Sequence, residues 1–193
     1  MDRIEKSKFQ QLVAEYRELL LKQNWALILS LIIIIAVADQ VTKQYFDSNF
    51  SIGEYKQVIG DTVRLTLHKN RGIAFGIELI DNRLLFSIFS LLAGVFIFFY
   101  LLSLRIHTRT MHIVIGLIMG GALGNLIDRI LFGEVIDFMD VDIPDIPAFD
   151  LFGFYFSGMN RWPIFNVADA AVSCGMILII YLLVKQSKTE KNA

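Results

Sequence analysis

The sequence predicts an all-α integral membrane protein with four transmembrane helices and a small β-sheet outside the membrane. Composition is the first observation: of 193 residues, 55% are hydrophobic and 19% are charged, and the mean hydropathy is +0.55. Soluble domains carry about 45–50% apolar residues with glycine included, and about 25% charged residues. The second observation is the spacing of the charges, which leaves four long apolar stretches. Together these observations exclude an ordinary soluble globular protein.

The four apolar stretches differ in length. One of them, residues 84–104, contains 21 uncharged residues and is long enough to cross about 30 Å of hydrocarbon. The other three have 16, 17 and 15 uncharged residues, which is too short unless each helix includes the acidic residue at its end. We therefore expect transmembrane helices over residues 23–43, 84–104, 111–131 and 164–184. The acidic residues are Asp39, Asp128 and Asp169. An ionisable group at such a depth is costly and is usually functional.

The distribution of lysine and arginine predicts the orientation. Residues 1–24, 105–111 and 185–193 hold 10 of these cations in 40 residues, whereas residues 40–83 and 128–163 hold 8 in 80. Because cytoplasmic loops are enriched in lysine and arginine, both termini are expected in the cytoplasm. The three acidic residues then lie at the same, outer face of the bilayer.

Segments outside the spans have their own patterns. Residues 1–22 form an amphipathic N-terminal cytoplasmic extension, which either lies on the lipid headgroups or is solvated. Residues 44–83 alternate like strands and predict an antiparallel sheet on the outer face. Residues 139–162 are interpreted as an outer-loop insertion that could also act as a lid or touch the bilayer. Residues 23–184 are thus one four-span domain, followed by a cytoplasmic tail at 185–193.

Two features of the spans allow alternatives. The apolar run of the first span ends in Ala36-Val37-Ala38, which resembles a secretory cleavage site, but helix-compatible sequence continues beyond it and favours a retained helix. The third span carries Gly116, Gly120 and Gly124 at intervals of four, which is typical of close helix packing. Ala171 and Gly175 in the fourth span would supply the complementary smooth face.

Polar residues that could carry chemistry cluster at the outer ends of the third and fourth spans. They are Asn125, Asp128, Arg129, Asp137, Asn166 and Asp169. Asn125 and Asp128 are three residues apart, as are Asn166 and Asp169, so each pair can face one side of a helix. Two carboxylates on neighbouring elements are typical of the water-activating pair of an aspartic protease, in which one proton is shared.

Other interpretations of these residues remain open. Asp128 beside Arg129 is typical of a structural ion pair, and Asp169 at a helix start is typical of a cap. A transporter with a proton relay through Asp39, Asp128 and Asp169 is disfavoured because the three carboxylates gather at one face. A Ser/Lys peptidase would need a base such as Lys43, and no serine is placed beside it. One cysteine and three scattered histidines offer no disulfide or metal site, and the net charge of −1 argues against nucleic-acid binding.

Five sequence blocks carry a resemblance to a known family, in that family's order. They are Asp39-Gln40-Val41-Thr42-Lys43, Asn70-Arg71-Gly72-Ile73-Ala74-Phe75-Gly76, Gly120-Gly121-Ala122-Leu123-Gly124-Asn125-Leu126-Ile127-Asp128-Arg129, Val135-Ile136-Asp137-Phe138 and Phe165-Asn166-Val167-Ala168-Asp169. In these blocks, which span residues 39–169, the chain resembles the lipoprotein signal peptidases (signal peptidase II), the bacterial intramembrane aspartic proteases. The four helices expected above agree with the architecture of that family.

The resemblance implies a role for each matching residue. Asp137 and Asp169 would be the catalytic aspartates. The substrate-binding and supporting residues would be Asp39, Lys43, Asn70, Gly72, Asn125, Asp128, Arg129 and Asn166. Because the stretch between Asp137 and Asp169 is longer than the family usually has, Asp140 is the alternative partner of Asp169.

The resemblance also implies a substrate and a location. The substrate would be a prolipoprotein whose cysteine already carries diacylglycerol, and cleavage just before that cysteine would free the signal peptide. The enzyme would be a monomer in the bacterial cytoplasmic (inner) membrane, in contact with lipid and with its active site near the outer face. Water and two carboxylates suffice for this reaction, so no metal, organic cofactor or nucleic acid is expected.

Overall fold

The computed structural model describes residues 3–21, 23–70, 83–104, 106, 108–151, 154–156 and 158–191. Its helices are α1 (Arg3–Leu21), α2 (Trp25–Asn49), α3 (Arg83–Ser103), α4 (Arg109–Leu131) and α5 (Val167–Lys191). Its strands are β1 (Tyr55–Ile59), β2 (Val63–Asn70), β3 (Val135–Ile146), β4 (Phe149–Leu151), β5 (Phe154–Phe156) and β6 (Met159–Arg161). The architecture is therefore mostly helical, with short strands inserted between the helices.

Three helices in the described part of the chain are long and apolar enough to cross a membrane. These segments are Trp25–Asn49, Arg109–Leu131 and Val167–Thr189, and they correspond to the first, third and fourth predicted spans. The second predicted span coincides with α3, whose apolar segment among the described residues, Ser90–Ser103, is shorter. That α3 crosses the membrane remains a prediction, and so does the total of four transmembrane helices.

Helix α2 is longer than the sequence predicted, because residues 44–49 are helical and do not belong to the sheet. The extra turns carry Phe46, which is buried and stacks on Phe138 of β3 with ring centroids 4.2 Å apart. Leu67 of β2 and Ile136 of β3 complete this apolar cluster. Burying these side chains together favours continuing the helix until it reaches the sheet.

The main sheet has the strand order β1-β2-β3-β6, and its neighbouring strands are antiparallel. Within the predicted range of 44–83, only β1 and β2 are described as strands. The sheet is completed by β3 and β6, which lie far along the chain. Residues 139–162, predicted as a loop insertion, are largely strand: they include the second half of β3, the β4–β5 hairpin and β6. The insertion is thus tied to the sheet by backbone hydrogen bonds.

Helix α4 lies between α2, α3 and α5, and its glycines allow close contact with α2. A Cβ added at Gly116 would lie 2.6 Å from Leu31 Cβ, and one added at Gly120 would lie 2.9 Å from Ile35 Cβ. The predicted role of these glycines in close helix packing is confirmed. Their partner was predicted wrongly, since both face the first span instead of the fourth.

The third and fourth predicted spans also approach closely, through Gly121 of α4 and through Gly175 of α5, which was predicted to face the third span. A Cβ added at Gly121 of α4 would lie 2.8 Å from Val172 Cγ2, and one added at Gly175 of α5 would lie 2.6 Å from Ile118 Cγ1. These contacts bring the start of α5 against α4. At the same end, Met139 of β3 forms an antiparallel bridge with Phe165, two residues before α5 begins. The sheet and the three apolar helices therefore converge.

Candidate active site

The polar residues gather where the sheet meets α2, α4 and α5. Five of them are at most 2% exposed: Asp39, Lys43, Asp128, Asp137 and Asn166. Burying a charged group is costly unless it is paired and hydrogen-bonded. The partners of these residues therefore show how the site is held together.

Asn166 and Asp169 form a reciprocal cap at the start of α5. The Asp169 N–H donates to Asn166 Oδ1 at 3.0 Å, and the Asn166 N–H donates to Asp169 Oδ2 at 3.2 Å. These are the N-cap and N3 positions of a capping box, with asparagine and aspartate in place of the usual residues. Asp169 thus takes part in the cap, as its position at a helix start suggested, and its carboxylate is held in one orientation.

Asp137 lies on β3, and both of its carboxylate oxygens accept hydrogen bonds from asparagine side chains. Asn166 Nδ2 donates to Oδ1 at 2.7 Å, and Asn70 Nδ2 donates to Oδ2 at 3.2 Å. Asn70 reaches Asp137 because β2 pairs with β3. Burial away from water, and after it the negative charge of Asp169, raise the pKa of Asp137 to about 7. Asp137 can therefore hold a proton at neutral pH.

The side chains of Asn125 and Asn166 connect the two carboxylates. Asn125 Nδ2 donates to Asp169 Oδ1 at 2.8 Å, and Asn166 Nδ2, which also reaches Asp137, lies 3.0 Å from Asn125 Oδ1. The charge of Asp169 acts on Asp137, so the two carboxylates are electrostatically coupled.

Lys43 is the centre of a buried ionic cluster beside this pair. Its Nζ lies 2.7 Å from Asp39 Oδ2 and 3.0 Å from Asp128 Oδ2, and it donates to Asn125 Oδ1 at 2.9 Å. Asp39 and Lys43 have the i,i+4 spacing of an ordinary surface pair, but both are buried. Removing one partner of such a pair leaves an uncompensated buried charge, which is strongly destabilising.

The two carboxylates bound to Lys43 also hold the backbone of neighbouring elements. Asp39 Oδ1 accepts a hydrogen bond from the Ala168 N–H at 2.9 Å, and Asp128 Oδ2 accepts one from the Ile136 N–H at 3.1 Å. Ala168 directly precedes Asp169, and Ile136 directly precedes Asp137. Asp39 and Asp128 therefore fix the two chain segments that carry the candidate catalytic residues. Carboxylates held in this way are poorly suited to a proton relay.

Arg129 completes the set of predicted site residues that the structure describes. It donates from Nη1 to the Asn125 carbonyl at 3.3 Å and lies within electrostatic reach of Asp169, Asp137 and Asp128. Gly72, which the resemblance also implied, lies outside the described residues. All the other predicted site residues meet at this end of the helices.

Asp140, the alternative partner of Asp169, has a different environment. Its carboxylate accepts hydrogen bonds from Arg161 Nε on β6 and, at 3.1 Å, from Thr66 Oγ1 on β2. Arg161 also donates to the Asp140 carbonyl at 3.2 Å. Both oxygens of this carboxylate are therefore occupied in holding β6 and β2 to β3. These contacts favour a structural role for Asp140 and support Asp137 as the candidate catalytic residue.

Gln40 belongs to the cluster and was missed by the sequence analysis. Its Nε2 donates to Asp128 Oδ1 at 2.8 Å and to the Gly124 carbonyl at 3.1 Å. A polar amide beside Asp39 in an otherwise apolar helix is the signal that could have identified it.

Within the described residues, no group of three or more His, Cys, Asp or Glu side chains is arranged to hold a metal ion.

A buried arrangement of carboxylates, amides and one lysine at the end of apolar helices is typical of a functional site in a membrane protein. Comparison with known proteins gives the particular family. The family model described as signal peptidase (SPase) II matches residues 31–185. The chain therefore belongs to the signal peptidase II family of peptidases, and it is a multi-pass membrane protein.

Named relatives and solved structures agree with this assignment. The lipoprotein signal peptidase of Syntrophus aciditrophicus (strain SB) is 38% identical over 161 residues, which cover 81% of this chain and 91% of that protein. The lipoprotein signal peptidase of Staphylococcus haemolyticus (strain JCSC1435) is 34% identical over 89% of this chain and 100% of its own length. A solved bacterial membrane enzyme is similar in fold, with a TM-score of 0.68 and 32% identity over 89% of this chain and 95% of that chain.

Proposed function

We propose that this protein is an aspartic endopeptidase that removes the signal peptide from prolipoproteins carrying a diacylglyceryl cysteine, by cleaving just before that cysteine. The observation that carries the proposal is the connection from Asp137 through Asn166 and Asn125 to Asp169, in a chain of the signal peptidase II family. One carboxylate of the pair is buried and has its pKa raised to about 7, which fits a pair that shares one proton at neutral pH.

The proposed reaction divides the work between the two carboxylates. Asp137 is the member that keeps the proton, because its pKa is raised to about 7, and Asp169 takes the role of the ionised carboxylate. Asp169 removes a proton from water while the water oxygen attacks the scissile carbonyl, and the proton on Asp137 moves to the carbonyl oxygen. When the gem-diol intermediate collapses, the C–N bond breaks and the leaving nitrogen takes the proton now held by Asp169. One hydroxyl group of the intermediate returns its proton to Asp137, which leaves a carboxylic acid, an amine and the starting state of the pair.

The amides around the pair have a second proposed task. A signal peptide in a membrane is helical, so a protease must unwind it and free backbone N–H and C=O groups. In lipid those groups are costly unless they find partners. Asn125, Asn166 and Arg129, together with Asn70, are the side chains we expect to receive them. The diacylglyceryl anchor would keep the scissile bond at the depth of these residues.

The remaining architectural expectations complete the proposal. Helix α3 would be the fourth span, and both termini would be cytoplasmic. The site would then lie near the outer face of the bacterial inner membrane, where the substrate cysteine is anchored. We expect a monomer, and we expect Gly72 to border the substrate-binding region.

A cleavage assay tests the function directly. The purified protein in detergent is mixed with a prolipoprotein bearing the diacylglyceryl cysteine, and in parallel with the same prolipoprotein lacking the lipid. Release of the signal peptide is followed by gel shift and its position by mass spectrometry. We expect cleavage only of the lipidated substrate, at the bond preceding the cysteine. Failure of the folded protein to cleave several lipidated prolipoproteins would refute the proposal.

The pH dependence of cleavage tests the shared proton. Asp137 keeps its proton below its pKa and loses it as the pH rises through about 7. We therefore expect kcat/KM, which reports the ionisable groups of the free enzyme, to fall as the pH rises above about 7. The measurement is kcat/KM between pH 4 and about 9, with thermal unfolding recorded at each pH.

A nearby histidine provides the control for this profile. His68 is exposed and is the strand partner of Asp137, and histidine side chains change charge in the same pH range. His68→Gln should keep the alkaline decline of kcat/KM, because the decline belongs to Asp137. A profile that is flat between pH 5 and about 9 in the folded enzyme would argue against a shared-proton pair.

A further inference from the structure

The Lys43 ammonium group has three N–H bonds, and the structure gives each of them a different acceptor. Two are the carboxylates of Asp39 and Asp128, at 2.7 and 3.0 Å, and the third is Asn125 Oδ1 at 2.9 Å. Lysine donates hydrogen bonds and accepts none. With Lys43 1% exposed, its donors are directed entirely into the protein.

The contact with Asn125 determines which way that amide points. An asparagine side chain has an acceptor oxygen at one end and two N–H donors at the other. If the amide were reversed, its NH₂ group would face the ammonium, and its oxygen would face the carboxylate of Asp169. Both contacts would be repulsive. Lys43 therefore selects the orientation in which Asn125 Nδ2 donates to Asp169 at 2.8 Å.

The same orientation reaches the other carboxylate of the pair. Asn125 Oδ1, held by Lys43, also lies 3.0 Å from Asn166 Nδ2, the group that donates to Asp137 at 2.7 Å. Asn125 Oδ1 therefore links the two donors. It belongs to the amide whose Nδ2 donates to Asp169, and it lies beside the Asn166 Nδ2 that donates to Asp137. A change at that oxygen would disturb both carboxylates.

We infer that Lys43 is a positioning residue. Its ammonium group fixes the Asn125 amide with Nδ2 towards Asp169, so that the amide donates a hydrogen bond to the ionised carboxylate that activates water. This inference rests on the proposed function, because it assigns Asp169 the role of base. The three N–H bonds of Lys43 are directed to Asp39, Asp128 and Asn125. Its effect on the reaction passes through Asn125.

The effect of Lys43 on the net charge of the cluster can be separated from its effect on the orientation of the Asn125 amide by a double variant. Lys43→Met with Asp128→Asn removes one positive and one negative charge, so the net charge of the cluster is unchanged and Asp39 is not left beside a second buried carboxylate. Asp128→Asn alone, which keeps Lys43, is the matched control. Gln40→Leu is a second control, because it removes hydrogen bonds to Asp128 and Gly124 without touching Asn125.

The first readout needs no substrate. The protein is produced with ¹⁵N-labelled asparagine, and its NMR spectra are recorded in detergent. The Asn125 side-chain signals are assigned as those lost in the Asn125→Ala variant. In wild type, Asp128→Asn and Gln40→Leu we expect two distinct Nδ2 proton signals with slow solvent exchange. In the folded Lys43→Met/Asp128→Asn variant we expect exchange to be at least about tenfold faster, since the hydrogen bond to Asp169 is no longer enforced.

The second readout separates chemistry from binding. We expect kcat of the double variant to fall at least about tenfold below that of Asp128→Asn, with KM changed less than about threefold, because the lost interaction acts on the reacting groups. Thermal unfolding establishes which variants are folded. If the double variant does not fold, Lys43→Arg is measured instead: its charge is retained but its planar donors do not reproduce the ammonium geometry, so the same changes are expected.

The outcomes distinguish this inference from the proposed function. Unchanged Asn125 exchange in a folded variant lacking Lys43 overturns the inference, and so does faster exchange with unchanged kcat. Changed exchange together with lower kcat supports it. If the wild type cleaves no lipidated prolipoprotein, the proposed function fails, and the exchange measurement still decides whether Lys43 orients Asn125.

Discussion

Replacing Asp137 by asparagine is expected to lower kcat for prolipoprotein cleavage by at least about 10³-fold, a loss within the range seen when essential catalytic groups are removed. Asparagine has nearly the same shape, and its oxygen can still accept the hydrogen bond from Asn166 Nδ2. Its NH₂ group then faces Asn70, whose amide must turn to present its oxygen. The introduced amide cannot carry the proton that the carbonyl oxygen must receive. The fold should survive, because the substitution also removes the cost of holding a buried carboxyl group beside Asp169.

The measurement is single-turnover cleavage of a lipidated prolipoprotein, with the midpoint of thermal unfolding as the test of folding. Asp140→Asn is the matched control, since Asp140 lies on the same strand and is bound by Arg161 and Thr66. We expect that control to be less stable and to retain cleavage within a few-fold of wild type. Loss of cleavage in Asp140→Asn with full cleavage in Asp137→Asn would show that the pair has been assigned wrongly.

Replacing Gly121 by alanine is expected to damage both stability and catalysis, although the change is one methyl group. The new Cβ would lie 2.8 Å from Val172 Cγ2 and closer still to the carbonyl oxygen of Ala168, which is backbone and cannot rotate away. Helix α5 must therefore move, and Asp169 moves with it. Overpacking of this kind costs about 1–3 kcal/mol, and a displacement near 1 Å at a reacting group can cost about 10²-fold in rate.

Gly94→Ala is the control for this prediction. Gly94 lies in α3, and a Cβ added there meets no atom within 4 Å among the described residues. Stability against detergent-induced or thermal unfolding and kcat should both be close to wild type in this variant. If Gly121→Ala were as stable and as active as Gly94→Ala, the close packing of α4 against α5 could not be what positions Asp169.

The sequence predicted the acidic residues of the site for a simple physical reason. Three apolar stretches are too short to cross the membrane without Asp39, Asp128 and Asp169, and the charge distribution brings these residues to the same face. The structure places all three in one cluster. Asn125 and Asn166 were candidates because each lies three residues before an acidic residue. Asp137 was a candidate only by its position after the third span, and the resemblance to a family assigned it the catalytic role.

What the sequence could not provide is the identity of long-range partners. Gly116 and Gly120 show that a helix face is smooth, but nothing in their spacing says which helix approaches it. The strands within 139–162 were missed for a similar reason: Arg161 stabilises them by reaching Asp140, and that contact exists only after β6 has paired with β3. Gln40 was missed because its partners lie more than 80 positions along the chain.

The hydrogen bond from the Ala168 N–H to Asp39 has a consequence for the order of events during synthesis. The two residues are separated by 129 positions, so Asp39 enters the membrane with the first apolar helix and meets this donor only when the last one arrives. A nascent chain that has not yet inserted residues 165–169 contains Asp137, but it lacks both Asn166 and Asp169. Under the proposed mechanism, proteolytic competence would be gained at the final insertion step, and incomplete chains would be inert towards the signal peptides around them.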